Sequence, residues 1–294
     1  MTLSESPRPG RTCDVRVLVT GSSGFVGRAT VVALEARGDE VVRLDFADGD
    51  DIRDKQVAFW KVSDADIVLH LAAVARFADA DADPVLAHEV NVLGTMHVAH
   101  AAALLARPLV YASTGSVYMP LAEEPPITED FPVSGNSVYG VTKRLGEAYV
   151  ERAGRWITLR YAHLYGPGKV GHGLVGGVLA RAAAGERPRV MGGDQTNDFT
   201  YIDDVVAANL AALDAPFDAW GRAYNVGTGE ETSAADAALE ILDVFGYDSE
   251  LEVVPRRAVD PSRFAYDVSR AEKLLGFRAA YTFRRGLEAM RDSA

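Results

Sequence analysis

Three side chains carry the first suggestion of chemistry. Tyr139 and Lys143 stand four apart in Tyr139-Gly-Val-Thr-Lys143, so a helix puts phenol and ammonium on one face. A free phenol, with a pKa near ~10, is a poor acid–base at neutral pH. A cation ~4 Å away is worth up to about 4 kcal/mol at an effective dielectric of ~20. That is enough to bring the phenol towards the range where proton transfer is efficient. Thr114, following Ser113, ends an apolar run and offers a hydroxyl to orient an alcohol or a carbonyl. Tyr-x-x-x-Lys alone is common on helices, and it gains weight only from a second pattern earlier in the chain.

That pattern is Gly21-x-x-Gly24-x-x-Gly27, between a β-branched run and a helical segment. Glycines there allow a tight turn, close approach of a pyrophosphate and close helix–strand packing, with the phosphates on free N–H groups at the helix start. Asp45 ends the next strand-like run, 18 positions after Gly27. An acid at that place accepts both ribose hydroxyls of an adenosine and repels a 2′-phosphate. NAD is therefore expected over NADP, with Arg43 close enough to blunt the preference.

The elements that must position these residues alternate. Val15–Thr20, Glu40–Leu44, 67–72, 109–113 and 156–160 read as strands. Residues 25–37, closed by Gly38, and 85–106 and 138–153 read as helices. Such alternation predicts an α/β fold, a Rossmann-type doubly wound parallel sheet covered on both faces. After Tyr165 come a flexible glycine-rich stretch at 166–177, helices at 178–184, 205–213, 234–245 and 268–275, and a short extended segment at 200–204. We expect a loose tail at 1–14 and a dinucleotide-binding domain at 15–165. The remainder, 166–294, should be mainly a smaller substrate-binding lobe, with 198–228 returning to the first domain.

Composition narrows the class. The 294 residues are 48% hydrophobic and carry a net charge of −12, which disfavours gripping a nucleic-acid backbone. One Cys excludes a disulfide framework and a Cys-based metal site. No apolar run reaches the ~18 residues that a membrane span requires. The first ten residues lack an apolar stretch, so a cytoplasmic protein is expected. None of the six His shows metal-ligand spacing, and no metal is expected. His97 and His100 read as packing and His70 as core, while His163 and His172 fall near the expected pocket. Asp79, Asp81 and Asp83, alternating with Ala, read as a solvated loop or pocket rim.

With these pieces in place, residues 15–285 resemble the extended short-chain dehydrogenase/reductases of the NAD-dependent epimerase/dehydratase group. The likeness rests on VTGSSGFVG (19–27), Asp51-Ile52, HLAAVA (70–75), NVLGT (91–95), YASTGSVY (111–118), YGVTK (139–143), LRYAHLYGPG (159–168), DFTYIDD (198–204), YNVGTG (224–229) and DVSRAEKLLGF (267–277). The resemblance implies cofactor contacts from Phe25 and Val26 under the pyrophosphate and Asp45 at the ribose. Asp51 and Ile52 would border the adenine, and Leu71, Ala72 and Ala73 would line the cofactor through their backbone. Asn91 would order the sheet edge near the nicotinamide, which Tyr161 and Ala162 would flank. Tyr139 becomes the proton relay. Lys143 would hold the nicotinamide ribose and acidify Tyr139, and Thr114 would bond the reacting oxygen. Ser113, Thr114, Tyr139, His163, Asn197 and Arg257 would meet the substrate.

Departures from the family pattern sharpen the expectation. Sugar dehydratases of this group carry Asp-Glu after the catalytic Thr, and uronic-acid decarboxylases carry Glu where Ser116 stands. Here the residues are Gly115-Ser116, which favours 4-epimerisation of a nucleotide-linked hexose or uronic acid. His163 replaces a usual Asn, and Asn197 replaces an Arg that contacts nucleotide phosphates. Arg257, with Asp260, matches the other phosphate Arg, and Arg189 and Arg256 are possible helpers. Met119 stands where Gly is common, and the 166–177 segment is short. These changes keep a second reading open: a ketoreductase or dehydrogenase acting on a keto-sugar or a non-nucleotide small molecule. A non-catalytic dinucleotide-binding regulator is the third. Helices 85–106 and 138–153 build a dimer interface in this family, so a homodimer is expected.

Overall fold

The computed structural model describes residues 15–118, 126–135, 137–169, 171–255 and 263–293. The tail at 1–14, Met119, Arg256, Arg257 and Asp260 lie outside the described residues. The first half alternates as expected: β1 (Arg16–Thr20), α1 (Phe25–Ala36), β2 (Glu40–Leu44), α2 (Lys55–Ser63), β3 (Ile67–His70), α3 (Phe77–Ala82), α4 (Pro84–His88), α5 (Thr95–Leu104), β4 (Leu109–Thr114), α6 (Val138–Val150) and β5 (Trp156–Tyr161). The second half contains β6 (His163–Tyr165), α7 (Gly173–Ala183), β7 (Arg189–Met191), β8 (Thr196–Asn197), β9 (Phe199–Tyr201), α8 (Ile202–Leu213), β10 (Arg222–Val226), β11 (Thr232–Ser233), α9 (Ala234–Phe245), β12 (Glu252–Val254), α10 (Ser269–Leu275) and α11 (Phe283–Asp292).

Six strands form one parallel sheet in the order β10-β5-β4-β3-β1-β2. Side-chain alternation feeds two cores. Val17, Val19, Ile67, Leu69, Val110 and Ile157 pack with Val31, Leu34, Val205 and Ala208 of α1 and α8. Leu18, Val68, Leu109 and Tyr111 pack with Ala58, Val62, Val98, Ala102 and Val150 of α2, α5 and α6. Both faces of the sheet are buried, which is why its strands read as near-continuous apolar runs. The chain leaves β1 towards β2 on one side, while β3 lies on the other. The order therefore reverses at β1, and a crevice opens at the carboxyl ends of these strands. The later elements gather around short strand pairs, β6 with β9, β8 with β11 and β7 with β12, on which α7, α9 and α11 pack. Among the described residues no helix is long and apolar enough to cross a membrane.

Several boundaries differ from the sequence expectation, each for a packing reason. The helix expected over 85–106 is interrupted by a π-helical turn at Glu89–Gly94, which separates α4 from α5. Asn91 lies in that turn and bonds the backbone of Val74 and the hydroxyl of Thr142. A Cβ on Gly94 would come within 2.8 Å of Ile52. A 3.6-residue period cannot register such a five-residue turn. The later part of the glycine-rich stretch is helical, because α7 already starts at Gly173. Gly176 sits against the Lys169 carbonyl, where any Cβ would collide, so it serves close packing. Residues 202–204 are helical rather than extended; Asp204 turns inward and accepts from the N–H groups of Ala280 (2.7 Å) and Tyr281 (3.2 Å). Asp79 and Asp81 lie in the short helix α3, and Asp83 caps α4 through Leu86 N–H at 2.9 Å. The elements α2, α3, β10 and α11 were not expected.

Candidate active site

A cleft of about 1320 Å³ lies at the carboxyl ends of the strands. Its cofactor-sized side is built from the loops after β1, β2 and β3. Gly21 has φ +67°, and a Cβ there would lie 2.8 Å from the Ala72 backbone. A Cβ on Gly27 would run into the Gly21 carbonyl. Gly24 caps α1 without any side-chain bond, and the first turn holds no acid. The amides at that helix start are left uncapped, with Phe25 and Val26 on the cleft wall.

Asp45 accepts from Ser23 N–H (2.8 Å) and Ala47 N–H (2.9 Å), one on each carboxylate oxygen. The carboxylate lines the cleft, where its remaining acceptor capacity suits a diol. Burial pushes this carboxyl up, but the Ser23 and Ala47 hydrogen bonds outweigh it and hold it below its ordinary value. Arg43 is engaged with Glu35 at 2.6 Å, so it does not blunt the charge of Asp45. Asp51 and Ile52 line the same corner, with the Asp51 carboxylate held by Arg53 (2.6 Å) and its pKa lowered by that bond.

The third wall of this side is backbone. Leu71 and Ala72 donate their N–H groups to Thr20 Oγ1 (3.1 Å each), and Leu71, Ala72 and Ala73 line the cleft. With those two bonds accepted, Thr20 donates its own proton to His70 Nδ1 (2.6 Å), and His70 Nε2–H donates to Thr95 (2.9 Å). Burial drives the imidazole down to about 3, with the Lys143 charge adding to the effect, so His70 is a neutral core histidine as expected. The uncapped amides, the space that only glycine leaves and the paired acceptors of Asp45 fit a dinucleotide with a diphosphate and a free ribose diol.

The reacting side lies at the ends of β4 and β5 and the start of α6. Tyr139 and Thr114 line the same wall, and the Tyr139 ring stands edge-on to Phe77 at 5.5 Å. The Thr114 hydroxyl bonds Ser116 Oγ at 3.3 Å. Burial pushes the Tyr139 phenol up to about 12, with the nearby Thr114 hydroxyl acting the other way. Lys143 is buried, with Nζ 4.1 Å above the Tyr111 ring. Burial pulls its ammonium down to about 7, opposed by Glu147. The expected acidification of Tyr139 by Lys143 is therefore not seen. The four-residue spacing does put both on one helix face, but Lys143 runs inward onto Tyr111, and desolvation dominates both groups.

Two further expectations need correction. Asn91 does not line the cleft; it is buried and ties the Val74 loop to α6. Ser113 reaches the wall, but its hydroxyl donates to Glu147 at 2.6 Å. Glu147 is held on both oxygens by Arg160 (3.0 and 2.9 Å), and Arg160 continues to Tyr118 (3.2 Å) and the Glu129 carbonyl (3.1 Å). This buried pair joins α6 to β4 and β5 behind Thr114. The sequence reading missed it, although an Arg inside a buried strand and a Glu one turn after Lys143 were the available signals.

Tyr161 and Ala162 line the cleft. Tyr161 donates to Asn209 (2.6 Å), Asn209 to Thr30 (3.1 Å), and Thr30 to the Val26 carbonyl (2.9 Å), which ties β5 to the first turns of α1. His163, His172 and Asn197 also reach the wall. The His163 ring meets Phe199 at 6.0 Å and Phe264 at 5.8 Å, nearly perpendicular to the latter. A Cβ on Gly115 would collide with Phe264 and lie 2.5 Å from the Tyr266 hydroxyl. Phe77, Phe199 and Phe264 were missed because ring contacts between distant segments leave no local pattern.

The family model described as the NAD dependent epimerase/dehydratase family matches residues 17–227. The chain belongs to the NAD-dependent epimerase/dehydratase family. It is an enzyme of the extended short-chain dehydrogenase/reductase type, and its cofactor is NAD. It is 31% identical to UDP-glucose 4-epimerase of Mycolicibacterium smegmatis, over 93% of this chain and 96% of that protein. The UDP-glucose 4-epimerase of Thermus thermophilus, solved as a complex with NAD, aligns with a TM-score of 0.82 and 30% identity, covering 94% of this chain and 98% of that one. The UDP-glucuronic acid 4-epimerase of Bacillus cereus, solved with UDP-glucuronic acid and NAD, aligns with a TM-score of 0.86 and 25% identity over 94% and 98%.

Proposed function

We propose that the protein is an NAD-dependent 4-epimerase of a nucleotide-linked hexose or uronic acid. The observation that carries this reading is that Thr114 and Tyr139 share one wall of the NAD cleft, with a glycine following Thr114 at the position where a dehydratase carries an acid. A Cβ on Gly115 would press on the ends of Phe264 and Tyr266, so the carboxylate of a dehydratase fits there only if those rings shift. NAD, when bound, takes up and returns the hydride of the sugar carbon. Thr114 orients the sugar C4 oxygen. Tyr139, a protonated phenol in its resting state, must first release its own proton to solvent; as the phenolate it takes the proton of that oxygen as the ketone forms and gives the same proton back as the alcohol returns. Lys143, one turn further along α6, would hold the nicotinamide ribose. Phe77 and the aromatic wall of Phe199 and Phe264 exclude water, and the width of the cleft lets the keto-sugar present its other face.

In this reading Phe25, Val26, Asp45, Asp51, Ile52, the 71–73 backbone, Tyr161 and Ala162 hold NAD. His163 and Asn197 meet the substrate, joined by Arg257. Residues 15–165 act as the cofactor domain and 166–294 mainly as the substrate lobe. Val141, Leu145 and Tyr149 form an exposed stripe along α6, and Leu93 and Leu104 are exposed along the neighbouring helix. That stripe supports a homodimer through these helices. We assign the protein to a reducing cytoplasm, on a composition with a single Cys.

The test is incubation with UDP-glucose, UDP-galactose or UDP-glucuronic acid without added cofactor, read by proton NMR. A C4 epimer forming with no net change in NADH is the expected result. Stoichiometric consumption of added NADH without epimer overturns the reading in favour of a ketoreductase. A Leu145→Glu variant, run on a sizing column with light scattering, should elute at half the mass if the dimer assignment holds.

A further inference from the structure

The cleft wall carries several cations, and most are already paired. Among the described residues Arg53 pairs with Asp51, Arg76 with Asp79 and Arg189 with Glu252. Lys169 and Arg28 have no carboxylate partner among the described residues, and both lie at one corner. Lys169 Nζ is 5.3 Å from the Phe25 ring centroid, and the Cβ position of Gly168 is 3.6 Å from Arg28 Nη2. The turn after β6 thus sits on the first turn of α1. Lys169 is half-buried and donates one N–H to the Leu164 carbonyl at 2.8 Å, leaving two. Burial lowers its pKa, with no opposing carboxylate. An ammonium held in a partly dry wall beside the positive end of a helix is unfavourable unless an anion completes the site.

We propose that Lys169, flanked by Arg28, is a cationic clamp on the diphosphate of the bound dinucleotide, set by the turn that follows β6. The proposal rests on the cofactor assignment: the uncapped α1 amides and Asp45 place a diphosphate opposite Phe25. The turn then couples the cofactor to the part of the chain that lines the substrate side, since Lys169 is anchored on Leu164, next to His163. The clamp adds to the positive start of α1, whose first turn holds no acid, and the diphosphate supplies the countercharge for both.

The experiment titrates the full chain, exchanged into nucleotide-free buffer, with NAD, ADP-ribose and UDP by calorimetry. Lys169→Met should weaken NAD and ADP-ribose about ten- to hundredfold, the effect of a lost charge-assisted hydrogen bond. Lys169→Arg should restore most of it, and UDP affinity should stay unchanged. The salt dependence of NAD binding should be shallower in Lys169→Met than in the parent. Melting temperatures without nucleotide check that both variants fold. Unchanged NAD and ADP-ribose affinity in Lys169→Met overturns the proposal. So does a loss confined to UDP, which would place Lys169 on the substrate diphosphate. A parent chain that binds neither NAD nor ADP-ribose would sink the cofactor assignment itself, which is a separate outcome.

Discussion

The two sides of the cleft are built in different ways. The cofactor side uses backbone amides and short loops that each follow a strand directly: 21–27 after β1, Asp45 after β2 and 71–73 after β3. The side proposed for the sugar collects Thr114, Tyr139, His163, Asn197, Phe199 and Phe264 from separate segments of the cleft wall, with aromatic contacts and a buried Glu147–Arg160 pair. A site made of backbone needs glycines and an acid at fixed offsets. A site made of side chains needs the whole chain to be packed first.

The sharpest way to separate the two sides is Tyr139→Phe. Turnover should fall about 10²- to 10⁴-fold, the usual contribution of a positioned proton donor. NAD content, read from the ultraviolet spectrum of the denatured supernatant, should not change. A variant with full turnover would sink the mechanism.

A pH test probes the support beneath the cofactor side. The folded pKa of His70, about 3, lies below its unfolded value of 6.5. The unfolded chain therefore takes up this proton first as pH falls. The stability associated with the neutral imidazole is complete above pH 6.5 and declines below it, by about 2 kcal/mol at pH 5. Denaturant midpoints between pH 7 and 5 should show this decline, and His70→Gln should flatten it. An unchanged slope in the variant would remove His70 from the account.

Gly115→Asp addresses the other side. Overpacking against Phe264 and Tyr266 should cost about 1–3 kcal/mol and abolish sugar binding while leaving NAD bound. Dehydratase activity in this variant would contradict the steric argument. The smallest expected effect is Asp45→Asn, which should weaken NAD about tenfold by removing the charge that favours the ribose diol, with UDP affinity untouched. Loss of both ligands together would show that the two sides are less independent than their construction suggests.

Much of the cofactor side was legible in the chain. The glycine turn, Asp45 and the strand run before each loop are short-range patterns, and all of them fall on the cleft. The Tyr139–Lys143 spacing was legible too, but its electrostatics were not. Reading the pair at a high effective dielectric made Lys143 an acidifier of Tyr139. Folding places the ammonium over Tyr111 and leaves burial to raise the phenol and lower the amine. Asn91 shows a milder limit: an ordering role was expected from the motif, but its partners, the Val74 backbone and Thr142 of α6, were not.

By itself, the sequence determined the alternation of strand and helix, the dinucleotide loop and the residue types at the reacting centre. These follow from periodicity and from the conformational demands of glycine turns, which act over a few neighbours. Only the tertiary structure decided which ionisable groups are desolvated. It also decided that an acid at Gly115 fits only if Phe264 and Tyr266 shift and that Lys169 meets the first turn of α1. Those outcomes depend on dielectric surroundings and on contacts between residues far apart in the chain, and no local pattern carries that information.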